Sequence, residues 1–221
     1  MTKSKTSSAY QTKTLEGGRV WVAGHRGMMG RAIMKRLTNE HCYTLTASRG
    51  ELDLTNQTEV EAWVQNKRPD FVFMAAAMGG GIQANSQFPV DFLLNNLLIQ
   101  ANTIRACARS GVVKLLFLGS SCQYPRETDQ PIPESALLTG PLEPTNQWYA
   151  VAKISGLKLI EAYRQQLACD YISATPTNLY GVGDNLDPER GHVIPALMRR
   201  IHEAKQNNTG QVSIWGSGRP K

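Results

Sequence analysis

The chain has 221 residues, 41% hydrophobic and 19% charged, enough for one sizeable globular domain or one domain and part of another. No apolar run is long enough to span a bilayer and no apolar signal core opens the chain, so a cytoplasmic protein without a membrane partner is expected. The net charge of +6 owes much to Lys3, Lys5, Lys13 and Arg19 near the N-terminus, without a basic stripe interleaved with aromatics. Nucleic acid is therefore not the expected partner, and a ligand carrying several phosphates accounts for the bias equally well. The four cysteines, Cys42, Cys107, Cys122 and Cys169, lack metal-ligand spacing, which predicts reduced thiols and no metal site.

Residues 1–17 are rich in Ser, Thr and Lys and read as a disordered tail. Arg19 to Ala23 then reads as a buried strand, running into Gly24-His25-Arg26-Gly27-Met28-Met29-Gly30 and a helix through Leu37. Glycines three apart between strand and helix form a dinucleotide pattern. The first permits a tight turn, the second lets a pyrophosphate approach the backbone, and the third lets helix and strand pack closely. Tyr43 to Ala47 reads as the next strand, followed by Ser48-Arg49-Gly50. An acidic residue there would favour NAD, whereas Arg49, with Arg26, can pair with a 2′-phosphate, so NADP is the expected cofactor. Asp53, followed by Leu54, stands where a carboxylate can accept a hydrogen bond from an adenine amino group.

The alternation continues with a helix from Thr58 to Asn66, a strand from Asp70 to Ala77, a long helix from Phe88 to Ser110 and a strand from Val113 to Gly119. Gly79-Gly80-Gly81 reads as a flexible loop at the carboxyl edge of its strand, where open parallel sheets bind ligands. A helix from Gln147 to Leu167, capped by Thr145 or Asn146, and a strand from Tyr171 to Thr175 complete a doubly wound, Rossmann-like parallel sheet. After Gly183 the texture changes: a polar stretch, an amphipathic helix from His192 to Lys205 and a strand from Gln211 to Trp215 read as the beginning of a smaller C-terminal substrate domain.

Tyr149 and Lys153 lie four apart on one helix, so both project from one face. A phenol beside an ammonium has a lowered pKa and can protonate a carbonyl oxygen as its carbon receives hydride. The spacing alone also fits a half-buried aromatic beside a solvated lysine; the upstream glycines supply the hydride source. Ser120, at the end of an apolar run, can hold the carbonyl oxygen, and Cys122 adds an acid/base group that simple reduction does not require.

Together these segments resemble the extended short-chain dehydrogenase/reductases, and among them the GDP-L-fucose synthases. The resemblance rests on Ala23 to Met28, Leu116 to Pro125, Leu142 to Asn146, Pro176 to Gly181 and His192 to Leu197. It implies NADPH-dependent epimerisation of GDP-4-keto-6-deoxy-D-mannose at C3 and C5 and reduction at C4, giving GDP-L-fucose. Cys122 would be the base, His192 the acid on the other face, Tyr149 the proton donor in reduction and Lys153 the group that holds the nicotinamide ribose. Leu118, Gly119, Ser120, Ser121, Pro176, Thr177, Asn178, Leu179 and His192 would also line the cofactor, and Arg200 and Trp215 would contact the GDP-sugar. Residues 18–182 would form the NADP-binding domain and 183–221 an incomplete nucleotide-sugar-binding region, since family members continue for about another domain. A homodimer through the two long helices is implied. The alternatives are an NADP-binding module without turnover and another nucleotide-sugar epimerase or reductase of the same superfamily.

Overall fold

The computed structural model describes residues 14–187 and 191–214. Five parallel strands form one sheet in the order β2-β1-β3-β4-β5. They are β1 (Arg19–Ala23), β2 (Tyr43–Leu45), β3 (Phe71–Met74), β4 (Lys114–Leu118) and β5 (Asp170–Ala174). Helices α1 (Met28–Leu37), α2 (Gln57–Lys67), α3 (Ile82–Gln87), α4 (Pro89–Arg109) and α5 (Gln147–Leu167) fill the connections, and α6 (Val193–Gln206) follows β5.

Both sheet faces are buried because the strands are apolar at successive positions. Trp21 and Ala23 of β1, Val72 and Met74 of β3, Leu115 and Phe117 of β4 and Tyr171 of β5 pack against Val60 of α2, Ile104 and Cys107 of α4 and Ile160 of α5. The intervening Val20, Val22 and Phe71 face the other way, against Leu37, Ile33 and Met34 of α1. The doubly wound expectation is thus met. From β1 the chain moves first to β2 on one side and then to β3 on the other, so a crevice opens at the carboxyl ends of β1 and β3.

Local chemistry sets the helix starts. The Asn56 side chain accepts from the Thr58 and Glu59 N–H groups and starts α2, while Pro89 opens α4 at a position that needs no donor. Asn146 occupies the N-cap of α5 as expected, yet its side chain makes no capping bond.

Several expected boundaries change. β2 ends at Leu45 rather than Ala47, and β3 at Met74 rather than Ala77, because Ala47 and the three alanines Ala75–Ala77 leave the sheet to line a cavity. Gly79–Gly81 leads into α3, a helix that six residues of weak apolar periodicity did not announce. Residues 1–13 lie outside the described region, but residues 14–17 form a turn whose Gly17 N–H bonds to the His41 carbonyl at 2.7 Å, with Leu15 packed on the core. Residues 211–214 are not a strand: no described segment offers them a ladder partner, and an unpaired strand gains nothing.

α4 and α5 pack closely through Gly156. A methyl there would collide with Gln100 Oε1 and lie 2.6 Å from the buried Phe117 ring. Gly to Ala gains about 1 kcal/mol of helix propensity, but overpacking costs about 1–3 kcal/mol, and Gln100 is tethered through Nε2 to the Asn96 and Ala152 carbonyls while Phe117 is fully buried. Gly156→Ala is expected to lower stability by about 1–2 kcal/mol in a urea titration; an unchanged or higher midpoint would mean that the α4–α5 contact yields.

Candidate active site

The turn after β1 is built by its glycines. Gly24 has φ +87°, and a Cβ on it would lie 2.6 Å from the Ala76 amide nitrogen, so both its conformation and its neighbour require glycine. A Cβ on Gly30 would strike the Gly24 carbonyl, which brings α1 hard against the turn. Gly27 differs: a Cβ there would meet only the Gly24 oxygen at 3.5 Å, so the protein's own packing does not demand glycine. Gly27 is the N-cap of α1, no side chain caps this end, and the first turn carries no acid. Free first-turn amides, a bare N-cap and the helix dipole together fit an anionic group. His25 Nδ1 in the same turn is buried without a partner among the described residues.

Gly24 and Gly27 line a cavity of about 290 Å³ with Trp21, Ala23, Arg49, Asp53 and Leu54. Its far wall is Ala75–Met78, Asn95 and Ile99. Arg49 is exposed. Asp53 Oδ1 accepts from the Thr55 N–H at 2.9 Å and from its hydroxyl at 2.8 Å, and these bonds hold its carboxyl below the usual range, with Arg49 adding to the effect.

The second group of predicted residues gathers at the ends of β4 and β5. The Lys153 ammonium donates to the Leu118 carbonyl at 2.8 Å and stands 4.9 Å from the centroid of Phe117 and 5.7 Å from that of Tyr149. The Gly119 N–H bonds to the Ala174 carbonyl at 2.8 Å, joining this edge to the segment that continues into Pro176, Thr177, Asn178 and Leu179. Ser120 starts a single 3-10 turn, Ser121–Gln123, within which Cys122 Sγ donates to Ser120 Oγ at 3.1 Å. Phe92 meets Tyr149 edge-on at 6.4 Å between centroids. Phe92 also borders a second cavity of about 410 Å³ with Met78, Gly80, Gln83, Gln87 and Asn185. The two cavities share Met78.

Burial governs the electrostatics. Lys153 is 3% exposed, and desolvation pulls its pKa from 10.5 down to about 8, against a smaller upward pull from Cys122. Burial pushes the Cys122 thiol up, although Ser120 and Lys153 favour the thiolate. The expected lowering of the Tyr149 pKa is not found: burial, reinforced by Cys122, raises it. The physical reason is geometric, since Lys153 bonds to a backbone carbonyl and lies over the aromatic rings, so its charge does not offset the desolvation of the phenol.

Residues 20–221 match the model of the NAD dependent epimerase/dehydratase family. The chain belongs to that family. Among its relatives it is 57% identical over 206 residues to a GDP-L-fucose synthase of Sinorhizobium fredii, and 50% identical over 203 residues to that of Escherichia coli. These matches cover 93% and 91% of this chain but 66% and 63% of the relatives, so the chain spans just under two thirds of their length. A solved GDP-L-fucose synthetase from Naegleria fowleri bound to NADP superposes with a TM-score of 0.84 at 31% identity, covering 95% of this chain and 69% of that one.

Within this family member, Gly24, Gly27, Arg49, Asp53 and Leu54 meet in one cavity, while Lys153 joins Leu118 and Tyr149, Cys122 joins Ser120, and Tyr149 meets Phe92. Met28 and Met29 open α1, Arg26 is exposed and Ser121 begins the 3-10 turn. His192 is exposed at the N-cap of α6, and no described hydrogen bond joins it to Cys122 or Tyr149. Arg200 donates to the Ser213 carbonyl at 3.4 Å, and Trp215 lies outside the described residues. Sequence reasoning missed Ala75–Met78, Asn95 and Ile99 on the cavity wall; the run of alanines after a strand was their one signal.

The Lys153 shift has a stability consequence. Its folded pKa lies below its unfolded one, so the folded state is penalised wherever the ammonium must stay charged, and the penalty fades as pH rises from about 8 to 10.5. The stability difference between Lys153→Met and the parent is expected to change in the parent's favour by about 3 kcal/mol from pH 7 to pH 10.5. Parallel denaturation curves at both pH values check this; a difference that does not change, or that changes in the variant's favour as pH rises, contradicts it.

Proposed function

We propose that this chain carries out GDP-L-fucose synthase chemistry: epimerisation of GDP-4-keto-6-deoxy-D-mannose at C3 and C5, then NADPH-dependent reduction at C4. The observation that carries the reading is the thiol of Cys122 bonded to Ser120 beside Tyr149 and Lys153, an acid/base group beyond what a plain reductase uses. The names and high identities of the relatives support the same reading.

Gly24 to Gly30 would cradle the pyrophosphate, with Arg49 and Arg26 toward the 2′-phosphate and Asp53 and Leu54 beside the adenine. Leu118 to Ser121, Pro176 to Leu179 and His192 would border the nicotinamide end. When bound, NADPH supplies the hydride. Lys153 would hold the nicotinamide ribose, and Ser120 would orient the C4 oxygen. Tyr149, a phenol at neutral pH because burial raises its pKa, is in the protonation state a donor needs. For epimerisation the Cys122 thiolate would take the proton beside the ketone, Ser120 and Tyr149 would stabilise the enolate oxygen, and His192 would return a proton to the opposite face. Residues 18–182 would serve the dinucleotide and 183–221, with Arg200 and Trp215, the nucleotide-sugar.

A second reading, dinucleotide binding without turnover, draws on α6, where Val193, Met198 and Ile201 are 73%, 60% and 56% exposed. An apolar face left in water argues for an uncovered substrate side. The first experiment mixes the chain with NADPH and the keto sugar. NADPH oxidation with a GDP-fucose product supports the first reading; binding seen by fluorescence without oxidation supports the second.

Cys122→Ser is expected to reduce an already epimerised intermediate at near-parent rate while losing at least about 100-fold in solvent-proton exchange at C3 and C5. In the parent, that exchange should rise with pH into the alkaline range, because burial keeps the thiol protonated at neutrality. Equal loss of both half-reactions contradicts a separate role for the thiol.

We further infer a homodimer in the cytoplasm. Val90, Leu94 and Leu98 repeat every fourth residue along α4 and are exposed, as are Trp148 and Val151 on α5, which packs beside it. The free thiols suit a reducing compartment. Leu94→Arg is expected to shift sedimentation from dimer to monomer; an unchanged coefficient would place any pairing elsewhere.

A further inference from the structure

We propose that Gln123 is a positioning residue that fixes the geometry of Ser120 and Cys122, an inference that rests on the role of that pair in the proposed function. Gln123 is 1% exposed, within the 3-10 turn after β4. Its Oε1 accepts the Ser120 N–H at 2.9 Å and the Thr175 hydroxyl at 3.4 Å. Since the Ser120 N–H is a donor only, the oxygen of the amide must face it, which settles which way the amide points.

The same oxygen lies over Gly119, where a Cβ would come within 2.6 Å of it, so the glycine is the space into which the amide fits. One side chain therefore spans three points at the sheet edge: Gly119 at the end of β4, Ser120 at the start of the turn and Thr175 after β5. The Ser120–Cys122 contact of 3.1 Å lies inside this clamp. Gln123 Nε2 is buried with no partner among the described residues. A buried amide that leaves its donor unpaired is costly, and a leucine of similar volume would avoid the cost if filling space were the only need. The retained acceptor is what a methyl group cannot replace.

Gln123→Met keeps the length of the side chain and removes the amide oxygen; Gln123→Glu keeps an oxygen in its place. The proteins are treated with iodoacetamide, and the alkylation rate at each cysteine is read by peptide mass spectrometry. Gln123→Met is expected to raise the rate at Cys122 at least about fivefold, with Cys42 and Cys169 unchanged as internal controls, while Gln123→Glu stays within about twofold of the parent. Equal Cys122 rates in the parent and Gln123→Met overturn the proposal, as does a rise shared by all three cysteines, which marks general loosening. If Gln123→Met does not fold, Gln123→Asn, which withdraws the oxygen by one methylene, is expected to act in the same direction.

Exchange of the C3 and C5 protons into deuterated buffer supplies the second readout. Gln123→Met should lower its maximal rate about tenfold without changing the NADPH Kd. If the parent gives no exchange, the proposed function fails, and the alkylation contrast still decides whether Gln123 holds the thiol.

Discussion

A lysine ammonium deep in the protein, bonded to the carbonyl that ends β4, is the constraint around which the site is arranged. Lys153 is 3% exposed and reaches Leu118 O at 2.8 Å, so α5 cannot shift along β4 without leaving a charge unanswered in a low-dielectric interior. That bond sets the height of α5 over the sheet. It thereby sets where Tyr149, one turn earlier, meets Phe92, and how near the Ser120–Cys122 turn stands to the same charge. The ammonium is thus held at an energetic cost, as functional groups in clefts commonly are.

α4 answers this constraint from the other side with buried amides. Gln100 Nε2 donates to Ala152 O at 3.0 Å, one residue before Lys153. Asn96 takes both the N–H and the carbonyl of Met78, and Asn102 donates to the carbonyls of Leu54 and Thr55, each at 3.0 Å. Two loops that border the first cavity are therefore tied to one helix, and that helix to the one bearing Tyr149 and Lys153. Loops alone would not hold a cavity wall; buried side-chain amides supply the partners that leaving the sheet takes away.

Two cavities meet at Met78. The first is bounded by the bare N-cap of α1, Arg49 and Asp53; the second by Phe92, Gln83, Gln87 and Asn185. Phe92 on the second meets Tyr149 edge-on. α6 buries Pro195 and Ala196 but leaves Val193, Met198 and Ile201 exposed.

Much of this was legible in the residues themselves. Continuous apolar strands, glycines at fixed spacing and a four-residue Tyr–Lys separation are local patterns, and local sterics enforce them: Gly24 needs positive φ, Gly30 needs to lack a Cβ, and i,i+4 side chains share a helix face. What the sequence by itself determined was the order of the five strands and the long helices, the glycine turn after β1 and the helix from Gln147 to Leu167 that carries Tyr149 and Lys153. Only tertiary structure decided the protonation balance, because the Tyr149 and Lys153 pKa values follow from burial and from which group the ammonium bonds. It also decided that Ala75–Met78 would wall the cavity, that Gln123 would clamp the turn, and that residues 211–214 would form no strand. Each of these depends on partners far along the chain, and neither spacing nor composition carries that information.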